Sequence, residues 1–152
     1  HEKLYRASDL SRIDFPEYVR SLTQLLLRSF GVRDETIAVS LGGNPVFLSI
    51  ESAVPCGLLV NELFSNALKH AFPGGRRGAI RVAVEEREGE VRLTVADDGV
   101  GLPAGFDPWN TETLGLRLVQ TLVRQLAGRL SIESTHGTVF HIAFTEHKAV
   151  IE

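Results

Sequence analysis

The chain carries one cysteine and no methionine in 152 residues, and neither sign of charge dominates, with 16 Lys and Arg against 19 Asp and Glu. A single cysteine, Cys56, excludes an internal disulfide and fits a reducing compartment. Set among Val54, Pro55, Gly57 and Leu58, it reads as a buried structural thiol. The net charge of -3 gives no reason to expect nucleic acid or an anionic membrane as partner. No apolar run approaches the roughly 20 residues that a membrane helix needs. The opening residues show neither the basic stretch nor the cleavage pattern of a secretory leader, so a cytoplasmic location is expected. Without a methionine the chain cannot start at its own initiator, and a piece of something longer is expected. Internal repeats and low-complexity segments are also lacking. What is present, 43% hydrophobic and 23% charged residues, suffices for one well-packed domain.

Asp14-Phe15-Pro16-Glu17 is a strong helix start, with Asp14 as cap, Pro16 in the first turn and Glu17 three residues after the cap. Phe15, Val19, Leu22, Leu25 and Leu26 follow at helical spacing, and Gly31 is the expected stop. Thr36–Leu41 and Val46–Ile50 read as strands around Gly42-Gly43-Asn44-Pro45, which predicts a hairpin. A helix is expected from Ser52, because Pro55 suits only a first turn. Ala79–Val84 and Val91–Val95 alternate around Glu88-Gly89-Glu90 and predict a second hairpin with Ile80, Val82, Val84, Val91, Leu93 and Val95 buried. A third helix is predicted over Thr113–Ala127, ended by Gly128, then strands at Arg129–Glu133 and Thr138–Phe144. Local strand pairs alternating with helices argue for an α+β layered sandwich, with helices on one face of a mixed sheet.

Four stretches carry chemistry. In Asn61–Phe72, placed at about 100° per residue, Val60, Leu63, Phe64, Ala67, Leu68 and Ala71 share one arc. Glu62, Asn66, Lys69 and His70 share the other. A carboxylate, an amide, an ammonium and an imidazole on one stripe can hold a metal-chelated polyphosphate, and equally make an ordinary solvated face. Asp97-x-Gly99-x-Gly101 follows a strand. As a simple turn it needs no ligand; as a site, its glycines admit a flat ligand and its carboxylate accepts from an exocyclic amine such as that of adenine. Leu114-Gly115-Leu116-Arg117 opens a helix after a long loop, where backbone N–H groups favour anions. Gly137-Thr138 precedes the last strand.

In this order the four stretches resemble the asparagine box and the three glycine boxes of the GHKL ATPase superfamily, which includes DNA gyrase, histidine kinases and MutL. The resemblance covers residues 34–145. N-E-L-F-S-N-A-L-K-H-A-F and L-G-L-R-L-V-Q-T-L-V-R-Q-L-A-G are similar to bacterial sensor histidine kinases, in the branch with the second type of phosphoacceptor domain, related to the HWE group. The resemblance implies a two-layer α/β sandwich of the Bergerat type with a mixed, mostly antiparallel sheet. It implies residues 1–13 as the end of a dimerisation and phosphoacceptor helix with its linker, 14–146 as the catalytic domain and 147–152 as a tail.

By the same resemblance Asn66 holds Mg²⁺, Glu62 acts as base or orients the acceptor imidazole, and Lys69 and His70 reach the phosphates of ATP. Asp97 reads adenine, Gly99 and Gly101 shape its pocket, Gly115 and Leu116 form the phosphate loop, and Thr138 joins the bonds around Asp97. The implied partners are the protein's own phosphoacceptor domain, within a homodimer of the full-length protein, and the receiver domain of a response regulator. Some features depart from the pattern. Thr113 stands where many kinases have a further glycine, His136 stands where glycine is frequent, and no His-His-Arg acceptor motif is present. His1, His141 and His147 are read as solvent-facing or structural. ATP binding without self-phosphorylation at the family's site is therefore expected. A serine kinase of the anti-sigma-factor type and a non-catalytic ATP-dependent interaction module are the two rival functions.

Overall fold

The computed structural model describes residues 12–33, 35–110 and 114–146. In chain order these form β1 (Ile13–Asp14), α1 (Phe15–Ser29), β2 (Ile37–Gly43), β3 (Phe47–Leu48) and α2 (Ile50–His70). A single 3-10 turn at Pro73–Gly75 leads to β4 (Gly78–Arg87), β5 (Glu90–Asp97), α3 (Leu114–Gln125), β6 (Arg129–Glu133) and β7 (Thr138–Thr145). Of residues 1–13, expected to end an acceptor helix with its linker, 1–11 lie outside the described residues, as do Thr113 and the tail from His147.

The five long strands form one mixed sheet in the order β2-β4-β5-β7-β6, in which only β2 and β4 run parallel. The β4–β5 hairpin forms as expected, with Val82 opposite Val95 and Val84 opposite Leu93. These side chains, with Ile80, Val91, Ile142 and Phe144, are buried on the helix-covered face. Each contributes about 1.5–3 kcal/mol relative to exposure. Alternation sends Arg81, Arg92 and His141 to the open face, where His141 Nδ1 lies 3.3 Å from Thr94 Oγ1.

The hairpin expected from Thr36–Leu41 and Val46–Ile50 does not form. β2 pairs with β4, while Phe47–Leu48 pairs antiparallel with Ile13–Asp14. The intervening turn residues make their bonds to β4 instead of to each other. Asn44 clamps Glu86 through both its amide atoms, at 3.0 and 3.2 Å, and its backbone N–H donates to the Val84 carbonyl at 3.2 Å. Gly43, at φ 103°, lies so close to β4 that a Cβ would sit 1.8 Å from the Val84 carbonyl oxygen. Only glycine fits there.

Helix α1 starts as its sequence predicts, with Asp14 accepting from the Glu17 N–H at 3.2 Å. Its end closes on Gly31, at φ 67°, with Val32 N–H bonding the Leu27 carbonyl and Gly31 N–H that of Arg28. Helix α2 begins at Ile50 rather than at Ser52, so Pro55 falls in the second turn. Ser49 is the cap: its hydroxyl accepts from Ser52 N–H at 3.4 Å. Glu146, at the end of β7, holds that cap from outside. It accepts from Ser49 N–H at 2.8 Å, from the Ser49 hydroxyl at 3.0 Å and from Arg12 at 3.0 Å. Cys56 is buried in α2, and burial, reinforced by the Glu146 charge, pushes its thiol up to about 12. It stays protonated near neutrality, as an inert core group.

Candidate functional site

The second half of α2 turns Leu63, Phe64 and Ala67 into the core and leaves Glu62 and Asn66 half-buried and Lys69 and His70 exposed on the opposite stripe. Across from this stripe, β5 and β7 end side by side, with Asp97 opposite Thr138 and, two residues inward, Val95 opposite Phe140. Period-two alternation therefore stacks a polar pair above an apolar pair on the helix-facing side. Between stripe and strand ends lies a cavity of 490 Å³. Of the ten site residues expected from the sequence, nine line it: Glu62, Asn66, Lys69, His70, Asp97, Gly101, Gly115, Leu116 and Thr138.

Gly99 does not line the cavity. It is buried behind it, where a Cβ would meet the Ala71 carbonyl oxygen at 2.3 Å, and it holds the Asp97 loop against the end of α2. Gly101, at φ 76°, is the glycine of this loop that lines the cavity. Gly137 packs so tightly that a Cβ would lie 2.0 Å from the Asp97 carbonyl oxygen. By itself Gly137 reads in the sequence as a turn residue; its role in seating Asp97 comes from strand register.

The adjacent aspartates do different work. Asp98 Oδ1 accepts from Ala79 N–H at 2.7 Å and anchors the start of β4. Asp97 Oδ1 accepts from Gly99 N–H at 2.9 Å. Burial pushes the Asp97 carboxyl above its ordinary range, against the opposing pull of the Gly99 and Thr138 backbone bonds. A half-buried carboxylate fixed by backbone donors, in an otherwise apolar wall of Val95, Val100 and Phe140, is arranged to accept from a flat polar ligand.

The loop after β5 contributes Leu102, Pro103 and Phe106 to the lining, and none of these carried a signal beyond turn chemistry. Leu102 N–H is pinned to the Ser134 hydroxyl at 2.8 Å. Gly115 meets the stripe directly, since a Cβ on it would stand 2.3 Å from Glu62 Oε1. Among the described residues no group of three or more His, Cys, Asp or Glu side chains could hold a metal ion alone. A hard cation arriving with a polyphosphate needs only one or two protein oxygens, which Asn66 and Glu62 can offer.

The family model for histidine kinase-, DNA gyrase B- and HSP90-like ATPases matches residues 52–148, more than half of the chain. The chain belongs to this ATPase family. Among its relatives, Blue-light-activated histidine kinase 2 of Erythrobacter litoralis is 37% identical over 108 residues, covering 70% of this chain and 31% of that protein. Sensor histidine kinase PdtaS of Mycobacterium tuberculosis is 34% identical over 101 residues, covering 65% of this chain and 20% of that protein. The chain thus spans under a third of the length of these relatives. The solved histidine kinase domain of the Erythrobacter litoralis EL346 blue-light activated kinase superposes with a TM-score of 0.79 at 32% identity, over 88% of this chain and 61% of that one. The catalytic domain of histidine kinase ThkA shares the fold, with a TM-score of 0.69 at 20% identity, over 89% and 95%. Among the described residues no helix is long and apolar enough to cross a membrane.

Proposed function

We propose that the cavity binds ATP with Mg²⁺, and that the chain is the catalytic domain of a two-component sensor histidine kinase. One observation carries this reading: nine separately positioned residues, drawn from α2, the end of β5 and the loop after it, the start of α3 and β7, converge on one cavity. Residues 14–146 form the catalytic domain, joined through 1–13 to the acceptor domain. Adenine lies against Val95, Val100 and Phe140 and donates its amine to Asp97. Gly101 gives it room, Gly99 and Thr138 hold Asp97 in place, and Gly115 and Leu116 flank the phosphates. Lys69 and His70 reach the phosphates, and the Asn66 side-chain oxygen would hold Mg²⁺, which when bound offsets charge on the transferring group.

The acceptor is an imidazole from the phosphoacceptor domain, presented within a dimer of the full-length protein. An unprotonated ring nitrogen attacks the γ-phosphorus in line, the bond to the β–γ bridging oxygen breaks, and ADP leaves. Glu62 accepts the other ring N–H, orients the ring and takes its proton. The phosphoryl then passes to an aspartate of a response-regulator receiver domain, in the cytoplasm. The protein's contribution is chiefly positioning and charge neutralisation, since the transition state is loose.

Incubation of the full-length protein with γ-labelled ATP tests the assignment. Acid-labile, base-stable label that is lost in Glu62→Gln supports it. Acid-stable label would assign a serine kinase, and saturable ATP binding without any transfer would assign a non-catalytic module.

A further inference from the structure

Helix α2 is buried nearly all round, and through Glu62 its only exposed residues are Ile50, Glu51, Val54 and Leu58. Three of the four are large and apolar, at 55%, 54% and 47% exposure. They are spaced by four, so they form one stripe, and the next two members at that spacing are Glu62 and Asn66. The outward stripe of this helix is therefore apolar in its first half and chemical in its second. A solvated face would be polar throughout.

The stripe widens onto its neighbours. Gly57 lets α1 approach so closely that the Tyr18 ring lies 2.9 Å from where a Cβ would stand. Tyr18 is nevertheless 45% exposed, and Leu25, two turns further along α1, is 52% exposed. Phe47, just before α2, is 47% exposed. The chain itself enters at this end. Ile13 pairs with Leu48, and the Arg12 guanidinium bonds the Phe47 carbonyl and Glu146, so position 12 lies beside the start of α2. The opposite end of the stripe opens on the cavity at Glu62.

We infer that this apolar stripe is the docking surface for one helix of the phosphoacceptor domain, the helix that presents the acceptor imidazole. The inference rests on the proposed kinase reading and adds the surface that brings the acceptor to it. The acceptor domain is tethered at the Ile50 end and must deliver its ring at the Glu62 end, and the stripe is the straight path between them. From Ile50 to Glu62 it measures roughly 18 Å, so the docking helix carries its imidazole about 12 residues from the side chain that covers Ile50. Apolar residues of that helix, spaced by three and four, pack on Val54 and Leu58.

The test uses the full-length protein with Val54→Gln and Leu58→Gln combined, two exposed positions outside the cavity lining where a good helix former is tolerated. ATP affinity should stay within twofold of wild type, while the rate of histidine phosphorylation falls at least tenfold. Val54→Leu, which keeps the apolar stripe, should transfer at the wild-type rate. Wild-type transfer by the double variant would overturn the docking surface and leave the kinase reading intact. So would loss of self-association of the 152-residue chain in the double variant with transfer unaffected, which would assign the stripe to a second copy. Absence of both ATP binding and histidine label in the wild type would overturn the kinase reading, and the docking surface with it.

Discussion

Gly115 faces Glu62 across the α2–α3 contact, with 2.3 Å between Glu62 Oε1 and the point where a Cβ on Gly115 would lie. The obstructing atom is the tip of a flexible side chain, so Gly115→Ala is expected to fold and to gain slightly in helix propensity. The Glu62 carboxylate must swing away. Histidine phosphorylation should fall about 100-fold, as for a displaced catalytic group, with ATP affinity changed only a few-fold. Calorimetry and label transfer, measured on the same preparation, separate the two effects.

In the proposed reading Asp97 carries a stability cost for binding. Burial holds its folded-state carboxyl above the ordinary 3.8. A raised value favours the folded state fully below pH 3.8 and loses that contribution as pH rises through the folded-state value, so at neutrality the ionised group opposes folding. Asp97→Asn should therefore raise the melting temperature of the empty protein. It should also weaken ATP binding by about 100-fold, because backbone donors take the amide oxygen and leave an NH₂ group facing the adenine amine. In the wild type, ATP affinity should begin to fall with acidification at a pH above the ordinary carboxylate value.

The two glycines of the Asp97 loop should respond differently to alanine. At Gly99 the obstruction is Ala71 backbone, at 2.3 Å, and neither helix nor loop can yield cheaply. Gly99→Ala should cost about 3 kcal/mol of stability by denaturant titration. At Gly101 the nearest atom is the Ser134 hydroxyl at 2.9 Å, and the cost comes from its φ of 76°. That is about 1–2 kcal/mol, with a larger effect on nucleotide affinity than on folding.

Glu146 joins the end of β7, the cap of α2 and Arg12. Burial alone would raise its carboxyl, but the bonds from Ser49 and Ser52 and the Arg12 charge outweigh it and hold it below the ordinary 4.5. A depressed value means stability that is complete above pH 4.5 and is lost as pH falls through the folded-state value. Glu146→Gln should cost about 1–3 kcal/mol at pH 7. The gap from wild type should narrow with acidification below pH 4.5, as denaturation curves across that range would register.

Helix α3 ends with Ala127 in the left-handed region, at φ 52°, and Gly128 N–H bonding the Val123 carbonyl at 3.0 Å. The sequence suggests Gly128 as the stop, yet the left-handed position is one residue earlier. Ala127→Gly should stabilise the protein by about 1 kcal/mol.

What the sequence disclosed follows from how locally each feature is encoded. The stripe of Glu62, Asn66, Lys69 and His70 is fixed by helical period alone, and the Asp97 loop by its position after an alternating strand. Both were legible. The β2 pairing was not, because Gly43 and Asn44 look like hairpin residues until β4, some 40 residues later, supplies their partners. The helix start at Ile50 is not legible locally for a similar reason: Ser49 is held as a cap by Glu146, 97 residues away. Phe140 entered the cavity through its register with Val95, which no local pattern reveals. Gly99 reads as a pocket glycine by its place in the Asp-x-Gly-x-Gly loop, yet what requires glycine there is the Ala71 carbonyl, 2.3 Å from where a Cβ would lie.

Asp97 is proposed as the acceptor for adenine's amine. Titration calorimetry of this chain with ATP and with GTP, each with Mg²⁺, tests that most directly, because guanine presents a carbonyl where adenine presents the amine. Saturable ATP binding with GTP weaker by about 100-fold, and the difference erased in Asp97→Asn, is the predicted result. Equal affinity for the two nucleotides, or undiminished ATP binding by Asp97→Asn, would contradict it.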